Sequence, residues 1–226
     1  ESIGAASITM DFSYLFEPYD RQVSLADKSF ERIAEEYPDC LSCKPGCSDC
    51  CHAVFGLFLI EAVFLKHDFD KLGDKEKEAA LIRGLVAEKE LKTLERTLEE
   101  FKDDPGMSAY AMAKTRIKCP LLGDDDACIL YPFRPITCRV YGIPTMIQGL
   151  PRICGSTGFR KDEAYPFFNM NGVQKELFQL SKDLLENVKN DSTEERASLL
   201  ISIPKIIKTT VEDLVNENPE GPGVER

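Results

Sequence analysis

Nine cysteines stand in this 226-residue chain, and five of them fall between Cys40 and Cys51. The run reads Cys40-Leu-Ser-Cys43-Lys-Pro-Gly-Cys47-Ser-Asp-Cys50-Cys51-His52. Gaps of two or three residues let neighbouring thiolates converge, which is the pattern of zinc and iron–sulfur sites. Lys44-Pro-Gly46 and Ser48-Asp49 are turn formers that bend the backbone around such a centre. The adjacent pair Cys50-Cys51 suits a single tetrahedral zinc poorly, because consecutive side chains diverge. It fits a multinuclear cluster or two separate centres. His52 is either a further ligand, since imidazole suits zinc and some clusters, or a neighbour without metal contact.

A second set, Cys119, Cys128, Cys138 and Cys154, is spaced 9, 10 and 16 positions apart, too widely for a compact local knuckle. Both difficulties vanish if each centre takes ligands from both sets. The expected ligands therefore come from both sets, the first loop and Cys119, Cys128, Cys138 and Cys154 together. Four thiolates leave a zinc ion or an oxidised 4Fe–4S cluster with a charge of about −2. Arg134 and Arg139 bracket Cys138 and are candidates to donate to sulfur and tune the centre. The alternative is that they pair with Asp124 to Asp126 or with Glu61. Tyr131 reads as a packing residue. Two histidines give no Ser/His/Asp set, and each cysteine is better explained by a cluster than as a protease nucleophile.

With these residues in hand, the sequence resembles the YkgJ-type cysteine-cluster proteins, which carry a CxxCxxCC loop and are described as zinc- or iron-chelating. The matching residues are Cys43, Cys47, Cys50 and Cys51, then Cys119-Pro-Leu-Leu122, Cys128-Ile-Leu-Tyr131, Arg134-Pro135, Cys138-Arg139 and Cys154. Glu61 also looks like a family position. The resemblance spans roughly residues 40–155. Two features depart from the pattern: three residues separate Cys43 from Cys47 where the family has two, and Cys40 is additional. Which of Cys40 and Cys43 is a ligand therefore stays open. The resemblance implies a metal or iron–sulfur centre. One branch of the family is similar to flagellin lysine N-methylases, which are longer, and no glycine-rich GxGxxG loop stands here to match a cofactor-binding role.

The elements that must hold these loops read as helices. Ser24-Leu-Ala-Asp27 resembles a capping box ahead of Phe30, Ile33, Ala34 and Tyr37 on one helical face, with Pro38 as the stop and Pro18 breaking any longer helix. Val54 to Ile60 is an apolar run that fits a short strand or a buried helix start. Asp74 to Asp104 predicts a long amphipathic helix whose stripe of Leu81, Leu85, Leu91, Leu94, Leu98 and Phe101 faces the core, a coiled-coil partner being the alternative. Met107 to Ile117 predicts a shorter helix, and the pair forms a hairpin that returns Cys119 towards Cys51. Residues 119–160 read as irregular backbone. Helical periodicity resumes after Asn171-Gly172, Ser192 to Glu195 reads as another capping box, and residues 217–226 read as a disordered tail.

The fold class that follows is mainly α, with helices packed around two irregular cysteine-rich loops. It forms one domain over residues 1–216, with a family-like core at about 40–155 and C-terminal helices at 172–216. A net charge of −11 repels phosphate backbones, which argues against nucleic-acid binding, and no run of about 20 apolar residues exists to span a membrane. Residues 1–7 lack the basic and apolar regions of a secretory signal, so the expectation is cytoplasmic, against a secreted disulfide-bonded domain. The expected cofactor is an iron–sulfur cluster, 4Fe–4S preferred, with zinc as the alternative. The expected function is redox or regulatory with a protein partner. The alternatives are a zinc-stabilised binding module and a protein-modifying enzyme, which leaves enzymatic activity open. Shared ligation has a direct consequence. Peptides 38–70 and 115–160, reconstituted separately with metal, are expected to bind no complete, stable centre, as read by metal stoichiometry and absorption spectra.

Overall fold

The computed structural model describes residues 12–44, 46–160, 162–188 and 193–216. The Ser192 capping box and the tail at 217–226 lie outside them. The architecture is mainly helical, as expected. In chain order the helices are α1 (Phe16–Glu36), α2 (Leu59–Phe69), α3 (Asp74–Glu100), α4 (Pro105–Lys114), α5 (Ile136–Val140), α6 (Met170–Asn187), α7 (Thr193–Ser198), α8 (Ile203–Lys208) and α9 (Val211–Asn216). Three short strands, β1 (Thr145–Ile147), β2 (Leu150–Arg152) and β3 (Phe168–Asn169), form a sheet ordered β2-β1-β3. β1 pairs antiparallel with β2 and parallel with β3.

α2 is the central helix. Leu59, Ile60, Ala62, Val63, Leu65 and Phe69 are all at most 2% exposed. A helix that is apolar on every side must be surrounded, and α1, α6, α8 and α9 pack around it. One continuous core joins Phe12 and Leu15 at one end of the described chain to Leu214 and Val215 at the other.

Several local expectations change. α1 begins before Pro18, which sits in its first turn, where a missing N–H removes no helical hydrogen bond. Ser24 therefore lies inside the helix and does not start it. The run at 54–60 is a lead-in strand and a helix start together: Leu57 bridges Ile201, and α2 begins two residues later. Residues 119–160 are less irregular than expected. They contain α5 and a hairpin whose two-residue turn, Gln148-Gly149, has positive φ of 51° and 74°. That conformation matches the twist of a tight hairpin.

The largest correction concerns α3. Its buried residues are Ala80, Gly84, Ala87 and Leu94, whereas Leu81 and Leu85 are exposed. The reason is close packing on α8. A Cβ added at Gly84 would lie 3.4 Å from the Ile207 side chain, so the face turned inward is the one with small residues.

Hydrogen bonds between helices complete the frame. Ile60 N–H, in the first turn of α2, donates to Ser181 Oγ of α6 at 3.1 Å, and Ser181 donates onward to the Leu177 carbonyl. Ser181 is fully buried. Ser181→Ala is expected to orphan the Ile60 N–H and destabilise the fold by about 1–3 kcal/mol, measured as a lower midpoint in urea at unchanged slope.

Candidate metal centre

The two cysteine loops meet across a pair of backbone hydrogen bonds. Cys119 N–H donates to the Cys51 carbonyl at 2.7 Å and Ile117 N–H donates to the His52 carbonyl at 3.0 Å. The α3 and α4 helices pack against each other between these points. The chain thus leaves the first loop and returns to it, as the hairpin expectation required.

Beside this junction lies a cavity of about 60 Å³ whose lining includes five cysteines: Cys50 and Cys51 from the first loop, and Cys119, Cys128 and Cys138 from the second. Short turns aim them. Cys51 N–H closes a turn on Ser48, Tyr131 N–H on Cys128 and Cys138 N–H on Pro135. Arg134 joins the lining, together with apolar side chains that include Phe55, Leu65 and Ile203. A second group stands apart. The Cys43 thiol is hydrogen-bonded with that of Cys47 and feels the charge of Cys154 and Cys50. Cys154 Sγ donates to Asp49 Oδ2 at 3.4 Å, and Asp49 in turn accepts from Arg116 at 2.6 Å. Cys50 is the sulfur whose charge is felt in both groups. Cys40 packs against the core edge, where its carbonyl accepts from Gly158 N–H. Of the two residues left open by the sequence, Cys43 is therefore the one that meets other thiols. Among the described residues, no three Cys, His, Asp or Glu side chains converge on one point at metal-binding distance. What unites the five is the cavity they line.

Burial governs their protonation. It pushes Cys119 up to about 12 and raises Cys128 and Cys138, because few solvent dipoles are left to stabilise a thiolate. Burial likewise raises Cys43 to about 11. Cys50 goes the other way, to about 7, first because the Cys51 thiol donates to it and then through the Arg134 charge; Cys51 is raised by the same bond. Cys50 is thus the thiolate that is available first. The charge of Arg134 also favours ionisation of Cys128 and Cys138.

The two arginines have different stations. Arg134 stacks its guanidinium 3.6 Å over the exposed Tyr131 ring and bonds the Tyr131 carbonyl, at the cavity wall. Arg139 turns away. Its guanidinium makes two bonds to Asp27 of α1 at 3.1 and 2.8 Å and also donates to the Arg134 and Pro132 carbonyls. Neither the Asp124–Asp126 run nor Glu61 is its partner; it clamps the second loop to α1. His52 Nδ1–H donates to the Ser48 carbonyl at 3.0 Å, so the ring is held by its own loop.

Three residues around the site gave no metal signal in the sequence. Asp49 was legible only as a turn former, and Arg116 carried no local pattern. Gly142 is a close approach: a Cβ there would fall 2.1 Å from Cys43 Sγ. Glu61 is the fourth support. It is 3% exposed, accepts the Ile136 N–H at the start of α5 at 3.2 Å, and accepts the Phe58 N–H at the start of α2.

The CxxCxxCC family model, "Putative zinc- or iron-chelating domain", matches residues 42–155, about half the chain. The match runs from the first cysteine loop through Cys154. The chain belongs to this family, and it is a metal-binding protein of the zinc- or iron-chelating kind. No curated protein and no solved structure matches the chain.

Burial raises Glu61 to about 7 against the ordinary carboxylate value of 4.5, outweighing its two backbone donors. Folding then favours the protonated form, so the contribution of Glu61 to stability is fully present below about pH 4.5 and is lost as pH rises through about 7. The slope is expected to amount to on the order of 3 kcal/mol. Glu61→Gln, which stays neutral and can still accept, should flatten it in denaturant titrations across that range.

Proposed function

We propose that the protein is an iron–sulfur protein with a redox or regulatory role, and that its ligands are drawn from the eight cysteines from Cys43 to Cys154, Cys40 being outside the set. The observation that carries this reading is that five cysteines from two loops line one cavity. A closed zinc site and a 4Fe–4S cluster each take four cysteine ligands. Here five cysteines from two loops line one space, and the adjacent Cys50-Cys51 pair, whose side chains diverge, suits a multinuclear group better than a single tetrahedral ion. The donor set fits, since thiolates are the ligands of iron–sulfur clusters. Four of Cys50, Cys51, Cys119, Cys128 and Cys138 would hold such a cluster at the cavity, with the fifth and Cys43, Cys47 and Cys154 serving beside it. A bound cluster supplies one-electron transfer.

The residues of the chain prepare the site. Cys50 offers a thiolate near neutral pH, while the raised thiols of Cys119 and Cys128 give up their protons as a cation binds. Arg134, stacked at the wall, offsets the negative charge of gathered thiolates. Apolar walls exclude water and thereby strengthen that compensation. A reducing, cytoplasmic setting goes with this reading, supported by nine free cysteines. So does a protein redox or regulatory partner, in preference to nucleic acid, given the charge of −11. Among the described residues no helix is long and apolar enough to cross a membrane.

Anaerobically purified protein is expected to contain iron and acid-labile sulfide and to absorb broadly near ~400 nm. Cys138→Ser should lower the iron content and open both loops to protease, leaving α6 protected. Colourless protein with stoichiometric zinc and no sulfide would overturn the iron–sulfur reading in favour of a zinc-stabilised binding module.

A further inference from the structure

α3 has two apolar faces, and the fold uses one. Ala80, Gly84 and Ala87 are buried, the glycine lying against Ile207. The other face carries Leu81, Ile82, Leu85 and Val86, which are 37%, 59%, 67% and 60% exposed. These four sit at i, i+1, i+4 and i+5 and so form one contiguous strip. A groove beside the strip runs between α3 and the end of α8, lined by Leu81, Ile82 and Leu85 on one side and Ile207 on the other. An outward-facing helix surface ordinarily carries polar residues here.

The charges at the two ends of the strip indicate what covers it. Asp74 and Glu78 precede it on the same face, three, four and seven residues from its members. Lys89, Lys92 and Arg96 follow it on that face. All five are exposed. Lys75 and Lys77, the latter paired with Asp74 at 3.2 Å, dilute the acidic end, and the exposed Glu90, next to Lys89, dilutes the basic end, neither pattern being reversed. An apolar centre with an acidic end and a basic end is self-complementary under a two-fold axis, where one patch meets its own copy reversed. With two α3 helices antiparallel, Glu78 falls opposite Lys89, Leu81 and Ile82 fall opposite Val86 and Leu85, and Asp74 falls near Lys92. A parallel arrangement would set like charges together.

We propose that this face pairs with the same face of a second copy of the chain, with the α3 helices antiparallel. The pairing is independent of the metal reading, because the strip contains no cysteine.

The test is the solution mass of the intact, metal-loaded protein across a concentration series, by sedimentation velocity and light scattering. The expected result is a reversible dimer of about twice 25.4 kDa. Leu85→Asp should leave a folded monomer, since the residue is exposed and only the strip is altered. Glu78→Lys or Lys89→Glu alone should weaken the dimer roughly tenfold or more, and the two together should restore it. Within one chain these residues lie eleven positions apart, ~16 Å along the helix, so rescue reports a contact between copies. A monomer at every concentration, a dimer indifferent to Leu85→Asp, or a double reversal no better than the single ones would overturn the proposal. A monomer that dimerises only when residues 1–11 or 217–226 are removed would also overturn it, assigning the face to the chain's own end.

Discussion

The structure turns on a single buried carboxylate. Glu61 stands at the third position of α2 and accepts the N–H of Phe58, which is half of a capping box, while its other contact is the first N–H of α5. Two helix starts share one acceptor. One belongs to the most buried helix, and the other belongs to the five-residue helix that carries Cys138. The partial positive charge of helix N-termini favours an anion there, and burial opposes it. Burial wins, which is why the group holds its proton to about neutral pH. Through this side chain the orientation of the second cysteine loop is inherited from the core, and Ser181 fixes the same turn of α2 from α6.

The loops themselves are held by turns and close approaches in place of long regular elements. Backbone bonds join Cys119 to Cys51 and Ile117 to His52. Space is allowed only where side chains are absent: Gly142 lets the Cys43 sulfur lie against the backbone, and Gly56 lies under Leu200, where a Cβ would stand 2.6 Å from that residue's own. The arginines divide the remaining work. Arg134 keeps its charge at the thiols because stacking on Tyr131 holds it at the cavity wall. Arg139 spends its donors on Asp27 and two carbonyls, which ties the loop bearing Cys138 to α1. Two basic residues five positions apart thus serve electrostatics in one case and architecture in the other.

α3 shows how a frame element acquires a second surface. Packing against α8 selected the small residues for the inside, because two helix backbones in close contact leave no room for leucine. The larger side chains were left on the outer face, bounded by charges of opposite sign at its two ends.

Much of this was legible in the chain. The cysteine spacings, the resemblance they carry, the mainly α class, the long third helix and the return of Cys119 to Cys51 all follow from local patterns: short gaps for metal thiolates, 3.6-residue periodicity and turn formers. Local patterns could not tell which face of α3 is buried, because leucine and alanine stripes both satisfy the period and only the distance to α8 decides. Nor could they give Arg139 its partner, since Asp27 lies 112 residues away. The grouping of Cys50, Cys51, Cys119, Cys128 and Cys138 about one cavity, with Cys43, Cys47 and Cys154 beside it, was equally out of reach. Sequence spacing bounds how close residues can come, but the direction of a side chain depends on the elements that carry it. Here those directions are set by α2 and the carboxylate at its start, and only the folded chain brings that carboxylate to α5.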